Sequence, residues 1–224
     1  MIRMRMPNGL EERIQSGTTL NEVARALITD PVNPVVCADV DGFLHDLRQC
    51  LSKDCEVTLL TARTREGARV LCHTAAHVVA QAAKRLFPDA ALGRDPKSRD
   101  LFQVDLEIGT SLRKGDLAGI QEEVDRIIEE DLPIERYSLS KGEARAWLIR
   151  FGEVLKLEIL ERIEGQTVTI YSHGEFSDLC HGPHLQSTGQ LPPIRLTSVE
   201  DVTWQNDPNA ERLHRLCGTF AKAG

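Results

Sequence analysis

Hydrophobic and polar positions in the first 62 residues alternate in short strand-like runs, with one helical run among them. Two runs separated by a Pro-Asn-Gly turn predict a hairpin, and apolar residues at helical spacing then predict a helix that Thr18 or Thr19 can cap. The predicted strands are residues 2–6, 10–14, 35–38, 43–44 and 57–61, and the predicted helix is residues 20–28. The pattern therefore predicts a compact unit that mixes strands with a helix.

Longer apolar periods in the rest of the chain predict helices, and alternating runs between them predict strands. A capping box formed by Ser140 and Glu143 marks the start of one helix. The other predicted helices are residues 66–86, 116–131 and 155–163, and the predicted strands are residues 101–108, 167–171, 176–179 and 194–204. The whole chain is therefore predicted to have an α+β fold.

Length and composition exclude some classes of protein but do not identify a function. The 224 residues allow one large or two modest domains, and the hydrophobic and charged fractions of 41% and 27% are typical of a globular protein. Acidic residues outnumber basic ones by 34 to 27, which gives a net charge of −7. We therefore expect no broad surface for nucleic-acid phosphates, and any such contact must come from a local patch.

Neither a membrane-spanning segment nor a signal peptide is predicted. The longest nearly uncharged stretch, residues 72–83, is far short of the roughly 20 apolar residues that span a bilayer. The first six residues alternate arginine with apolar residues and lack an apolar block. We therefore expect a cytoplasmic protein without membrane contact, and we expect its six cysteines to form no disulfides because that compartment is reducing.

The strongest local signal for chemistry is a pair of histidines on the long predicted helix. His73 and His77 lie four residues apart, so both imidazoles face one side of that helix and can converge on one ligand. Far along the chain, Cys180 and His184 flank a Gly-Pro loop and can complete a four-ligand set for Zn²⁺. The same cluster can also work without a metal, with the histidines as acid, base or orienting groups.

Other polar residues have plain structural interpretations. Lys156 is typical of a solvated lysine on a helix, Tyr171 of packing at a strand end, and Asp178 of a turn cap. The remaining histidines are predicted to be exposed loop residues: His45, His173, His181 and His214. Nothing in their spacing indicates a ligand.

Several motifs together resemble the N-terminal half of threonyl-tRNA synthetases, whose second domain is shared in outline with alanyl-tRNA synthetases. The motifs are residues 6–9, 21–24 and 59–62, the run Cys72-His73-Thr74-Ala75-Ala76-His77, residues 130–134 and 156–158, the run Gly174-Glu175-Phe176-Ser177-Asp178-Leu179-Cys180 with Gly182-Pro183-His184, and residues 187–189 and 216–220. The resemblance implies a small ubiquitin-like β-grasp (TGS) domain at residues 1–62. A two-layer α+β aminoacyl-tRNA editing domain follows it at residues 63–224.

The resemblance also implies hydrolysis of a wrongly charged aminoacyl-tRNA, above all seryl-tRNA made for threonine. Serine lacks one methyl group of threonine, a difference worth roughly 1–3 kcal/mol in an apolar pocket, so a second site has to remove the errors. The implied partners are the aminoacylated 3′ end of tRNA and a synthetase core, either separate or continuing the chain. Without that core the chain cannot activate threonine.

By the same likeness, each candidate side chain receives a role in ester hydrolysis. His73 and Lys156 position the water and handle proton or charge, and Asp178 holds the ammonium or hydroxyl group of the substrate. The implied catalytic residues are His73, Lys156, Asp178 and Cys180, and the implied substrate-binding residues are His77, Tyr171 and His184. The candidate zinc ligands are His73, His77, Cys180 and His184, and the resemblance equally allows a site that requires no cofactor.

Two other functions stay open. One is a tRNA-binding or regulatory module derived from a synthetase and lacking catalysis, because residues 93–102 are polar and basic where related synthetases are rich in aromatic residues. The other is a metal-dependent hydrolase of a different small ester or phosphate, which the His/Cys cluster alone favours. Arg94, Lys97 and Arg99 can touch tRNA phosphates, with a solvated loop as the plain alternative.

Overall fold

The computed structural model describes residues 1–28, 30, 33–94 and 101–221. Within these residues the chain forms two compact units, Met1–Leu71 with Gly182–Gln186, and Cys72–His181 with Ser187–Gly224. The division falls inside a long helix, Arg65–Leu86. The domain boundary predicted after residue 62 stays a prediction.

The first unit is a mixed sheet with a helix against it. Its strands are β1 (Ile2–Arg5), β2 (Glu11–Ile14), β3 (Val35–Val40), β4 (Phe43–His45) and β5 (Cys55–Thr61), and its helix is α1 (Leu20–Leu27). The strand order is β2-β1-β5-β3-β4, with β1 and β5 parallel and the other neighbours antiparallel. Every element predicted for this region is therefore confirmed, with ends that differ by a few residues.

Local sequence explains why α1 forms where it does. Thr19 accepts a hydrogen bond from the backbone of Glu22, and the Glu22 carboxylate accepts one in return from the backbone of Thr19. This capping box satisfies backbone donors that the first helical turn leaves open. Leu20 and Val23 then pack into the same buried cluster as Met4 of the sheet. Of the two predicted caps, Thr19 is the one that acts.

The second unit contains two antiparallel sheets, most of the long helix and the remaining α-helices of the described residues. The helices are α2 (Arg65–Leu86), α3 (Leu117–Glu129), α4 (Lys141–Arg150) and α5 (Val154–Arg162), and the strands are β6 (Ala91–Leu92), β7 (Phe102–Glu107), β8 (Glu135–Ser140), β9 (Thr167–His173), β10 (Phe176–Leu179), β11 (Ile194–Thr203) and β12 (Arg212–Phe220). One sheet has the order β10-β9-β8 and the other β11-β12-β7-β6. The α+β class is confirmed.

The three-stranded sheet is the frame of the candidate site. One of its faces carries Val168, Ile170 and Leu179, which pack against Leu148 of α4 and Leu160 of α5. The predicted capping box of Ser140 and Glu143 is present and starts α4. Packing by these two helices leaves the opposite face of β9 and β10 for polar side chains.

Three predictions about histidines are wrong. His173 is buried at the end of β9, and His45 and His214 lie half-buried in β4 and β12, so none of the three is an exposed loop residue. The strands that hold His173 and His45 continue beyond the apolar runs that predicted them, whereas β12, which holds His214, was not predicted. His181 is exposed in a loop, as predicted.

Two expectations from the sequence concern membrane-spanning helices and the basic segment. No helix in the described parts of the chain is long and apolar enough to cross a membrane. Within the predicted basic segment, Arg94 is exposed, whereas Lys97 and Arg99 lie outside the described residues.

Candidate functional site

Helix α2 presents a row of polar side chains on one face. His73 and His77 are one turn apart, and their rings meet edge to face with centroids separated by 5.0 Å. Gln81 follows one turn further on and is buried, as His77 is, while His73 is half-buried. The spacing of four residues accounts for the alignment of all three side chains, as the sequence predicted for the histidines.

The hairpin of β9 and β10 supplies the opposing wall. Asp178 lies directly across from Tyr171, and Phe176 lies across from His173. Residues that face each other in an antiparallel pair project to the same side, as do residues two apart in one strand, so these four side chains share one face. All four are buried. Phe176 meets His77 with ring centroids 5.6 Å apart, which places this face against α2.

A buried carboxylate joins residues from three elements. Lys156 of α5 donates a hydrogen bond from Nζ to Oδ2 of Asp178 at 2.9 Å, and Nε2 of His77 lies 3.4 Å from the same oxygen. Lys156 is 4% exposed and Asp178 is 3% exposed. Charges so far from water need a partner of opposite sign, and these two neutralise each other. The interpretation of Lys156 as a solvated surface lysine is therefore wrong.

The surroundings keep His77 in its neutral form. Burial is the main cause that lowers the pKa of His77 well below its usual value, and the nearby His73, His173 and Lys156 add to the effect. A neutral imidazole can accept a proton or bind a metal ion through a ring nitrogen. His77 is thus suited to accept a hydrogen bond or to bind a metal ion at neutral pH, whereas its lowered pKa makes it a weak base.

The same helix and hairpin bring together a set of possible metal ligands. His73, His77 and Cys180 each offer one ligand atom, and these atoms lie within 4.8 Å of one another. Zn²⁺ bonds of about 2.0–2.3 Å in a tetrahedral site put ligand atoms roughly 3.3–3.8 Å apart, which lies inside that limit. His184, the fourth predicted ligand, is buried in Gly182–Gln186, a segment of the first unit.

A second chain of polar contacts was missed by the sequence analysis. Nδ1 of His173 lies 2.8 Å from Oε1 of Gln81, Nε2 of Gln81 donates to Glu175 at 3.0 Å, and Arg85 donates to the same carboxylate at 2.6 Å. Arg85 lies one turn beyond Gln81 on α2. The position of His173 two residues after Tyr171 was the available signal, because alternate residues of a strand share a face.

The structure therefore connects most of the predicted residues. His73 contacts His77, His77 lies beside Asp178, Asp178 binds Lys156, Tyr171 faces Asp178 across the hairpin, and Cys180 follows β10. Which of them act in catalysis stays a prediction. Asp178 is a strand residue bound to a lysine, so its interpretation as a turn cap is wrong.

Comparison with known proteins identifies the family that the site resembles. Residues 168–216 match a family described as the threonyl and alanyl tRNA synthetase second additional domain. Across 97% of its length the chain is 39% identical to threonine–tRNA ligase 2 of Bacillus subtilis (strain 168). It is 38% identical to threonine–tRNA ligase of Oceanobacillus iheyensis, again across 97% of its length. The resemblance to threonyl-tRNA synthetases is confirmed.

Only part of each matched synthetase aligns with this chain. The chain spans about a third of the length of the curated threonyl-tRNA synthetases that it matches, 34% in both cases. The matched domain of threonyl and alanyl tRNA synthetases contains Tyr171, His173, Asp178, Cys180 and His184. The α2 histidines and Lys156 lie before it, in the part of the chain that only the alignments with whole synthetases cover.

Proposed function

We propose that the chain hydrolyses wrongly charged aminoacyl-tRNA, with seryl-tRNA(Thr) as its main substrate. The observation that carries the proposal is the buried group of Lys156, Asp178 and His77, in a chain whose sequence resembles threonyl-tRNA synthetases. Burying two charges beside a neutral imidazole is costly for stability alone. Perturbed titratable groups of this kind cluster at functional sites.

The proposed reaction is a single ester hydrolysis. Water attacks the carbonyl carbon of the aminoacyl ester, the bond between that carbon and the ribose oxygen breaks, and the ribose oxygen takes up a proton. Free serine and uncharged tRNA leave. His73 can accept the proton of the water and the neutral His77 can orient that water, while the ammonium of Lys156 stabilises negative charge that develops on the carbonyl oxygen.

Recognition of the amino acid is assigned to the hairpin. The Asp178 carboxylate can accept hydrogen bonds from the substrate ammonium or hydroxyl group in addition to the one from Lys156. Tyr171, directly across the hairpin, shapes the pocket. Cys180 and His184 complete the polar surroundings as further predicted site residues.

The residues fit a zinc ion, and the charges around them favour hydrolysis without one. Bound to His73, His77 and Cys180, with His184 as the proposed fourth ligand, Zn²⁺ would supply Lewis-acid activation of a water. Lys156 already places a positive charge close enough to lower the pKa of His77. A second cation beside it is disfavoured by repulsion, so we propose that the site works without an obligatory metal.

The first unit is proposed to be the ubiquitin-like TGS domain. A mixed sheet of order β2-β1-β5-β3-β4, with parallel central strands and one helix packed against it, supports a β-grasp arrangement. We propose that the partners are the 3′ end of aminoacylated tRNA and a synthetase core, because the matched relatives are about three times as long as this chain. A cytoplasmic location stays a prediction.

A deacylation assay tests the proposal. The purified chain is mixed with seryl-tRNA(Thr) or threonyl-tRNA(Thr), and release of the amino acid is followed over time. We expect faster release of serine than of threonine, and a loss of roughly 100-fold in rate for His73→Ala, the scale of one proton-transfer group. Metal analysis of the same active sample should find less than stoichiometric zinc.

A matched control separates chemistry from folding. His181→Ala changes an exposed histidine near the same hairpin and should keep the rate of the unchanged chain. If the chain binds seryl-tRNA(Thr) and releases no serine above buffer, hydrolysis is wrong, and the binding module lacking catalysis replaces it.

A further inference from the structure

The row of hydrogen bonds that joins Arg85, Glu175, Gln81 and His173 determines the orientation of the Gln81 side-chain amide. Hydrogen bonds from Arg85 are the main cause that lowers the pKa of Glu175 to about 2, so this carboxylate is ionised and only accepts hydrogen bonds at neutral pH. The Gln81 atom 3.0 Å from it must therefore be the amide nitrogen. The amide oxygen of Gln81 then faces His173.

The orientation of Gln81 in turn fixes the tautomer of His173. An amide oxygen only accepts, so Nδ1 of His173, 2.8 Å away, must carry the proton. His173 is 2% exposed, and burial of this kind favours the uncharged ring. A neutral ring with its proton on Nδ1 has a lone pair on Nε2, and that nitrogen is a hydrogen-bond acceptor.

This acceptor lies in the site and is unsatisfied. Nε2 of His173 is buried and has no hydrogen-bond partner among the residues that the structure describes. The His173 ring lies 4.9 Å from Phe176 and 6.4 Å from His77 between centroids, on the hairpin face that also carries Asp178. Buried polar atoms are almost always paired, so an orphaned acceptor indicates a partner that arrives from outside.

We propose that Nε2 of His173 accepts a hydrogen bond from the bound aminoacyl end of the substrate, through an O–H or N–H group that is buried with it. The proposal rests on the proposed function and adds a substrate-binding residue that the sequence analysis placed in an exposed loop. The chain Arg85–Glu175–Gln81 is the positioning part. It holds the imidazole in the tautomer that accepts.

Two amide variants distinguish the roles of the two ring nitrogens of His173. In His173→Asn the side-chain amide reaches the place of Nδ1, so the contact with Gln81 is kept and the acceptor at Nε2 is lost. In His173→Gln the amide reaches the place of Nε2, so an acceptor is kept and the contact with Gln81 is lost. Substrate binding through Nε2 predicts a fall in kcat/KM for deacylation of roughly three- to tenfold in Asn and a smaller fall in Gln.

The opposite order overturns the proposal. If Asn keeps the activity and Gln loses it, His173 matters only as an anchor for Gln81. Comparing seryl with alanyl esters of the same tRNA identifies the donor, because alanine lacks the side-chain hydroxyl. A loss confined to seryl esters assigns the hydroxyl, and an equal loss assigns the ammonium group. Equal activity of Asn and the unchanged chain on both esters contradicts the proposal.

A second measurement does not depend on turnover. Long-range ¹⁵N–¹H NMR of the histidine rings, assigned with His173→Asn, should show the proton on Nδ1, and adding a non-hydrolysable 3′-serylamido-adenosine should shift Nε2. A proton found on Nε2 overturns the inference. If the analogue binds and leaves Nε2 unshifted, the inference is wrong while the proposed function stands. If the analogue does not bind, the proposed function itself fails.

Discussion

Lys156 and Asp178 form a buried ion pair, and the coupling free energy between the two side chains can be measured. Lys156→Met leaves the Asp178 carboxylate buried without this partner, and we expect a loss of about 3–5 kcal/mol in the free energy of unfolding. The double variant Lys156→Met/Asp178→Asn removes both charges and should lose clearly less than the sum of the two single variants. Urea unfolding of all four proteins measures this cycle.

An exposed ion pair provides the control. Arg145 and Glu161 form a contact at the surface, with side chains more than half exposed, so Arg145→Met should cost less than about 1 kcal/mol. Additive losses for Lys156 and Asp178 would contradict a coupled buried pair. Loss of deacylation in the double variant, with stability largely restored, would then separate their chemical role from their structural one.

The neutral form of His173 should make stability depend on pH. Because its pKa is lowered from 6.5 to about 4 in the folded protein, the unfolded chain binds more protons than the folded one between these values. Acid therefore favours unfolding across that window, and this residue alone accounts for at most about 3 kcal/mol of lost stability. Urea unfolding between pH 7 and pH 4 should show a shallower loss in His173→Asn.

The difference between the two pH curves isolates this histidine. His77 also has a lowered pKa and is present in both proteins, so its contribution cancels except for the smaller part of the shift that His173 itself causes. Glu175 loses its stabilising ionised form only as the pH falls from 4.5 towards 2, below most of the window. Parallel curves for the variant and the unchanged chain would show that His173 is not buried in its neutral form.

At the scale of elements, helices were predictable because their signals are local. α1 and α4 begin at capping boxes, and α2 shows a long apolar period, so both ends of α1 and α2 and the start of α4 were predicted within about two residues. The histidine pair of the site was found for the same reason, since four residues apart on a helix means one face. Local rules of this kind need no knowledge of the rest of the fold.

Strands without alternation were missed. β8, Glu135–Ser140, is exposed along most of its length and carries one half-buried apolar residue, Leu139. In β12, Arg212–Phe220, two buried leucines are separated by two half-buried polar residues, so neither face has a regular apolar row. Both strands are held by pairing with partners distant in sequence, which no local pattern records.

The same reason explains what was missed in the site. His173 and Gln81 are 92 residues apart, and only their contact shows that the histidine is buried and tautomerically fixed. Lys156 is a comparable case. The helix pattern around it is typical of an exposed lysine, and only the resemblance to the synthetase family identified it as a candidate site residue. Its partner, Asp178, is 22 residues away.

At the scale of the whole molecule, charge limits how the chain can hold tRNA. With a net charge of −7, acidic side chains outnumber the basic ones that could bind phosphates. Affinity that depends on phosphate contacts falls with salt, with a slope of roughly −0.7 to −0.9 per neutralised phosphate in a plot of log K against log salt concentration. A chain that binds only the aminoacylated end should therefore show a shallow slope.

We expect that slope to be no steeper than about −3 for seryl-tRNA(Thr). It is measured by filter binding to the His73→Ala variant at several salt concentrations, because the ester survives on this variant.

If recognition is confined to the terminal nucleoside and its amino acid, a short seryl-adenosine ester should react with the unchanged chain within about tenfold of the kcat/KM for the whole tRNA. Lys97→Ala/Arg99→Ala tests the basic segment, since losing two phosphate contacts would flatten the slope by at most about 2. A slope steeper than −6, or no reaction with the short ester, would instead show that a broad tRNA-binding surface exists on this acidic chain.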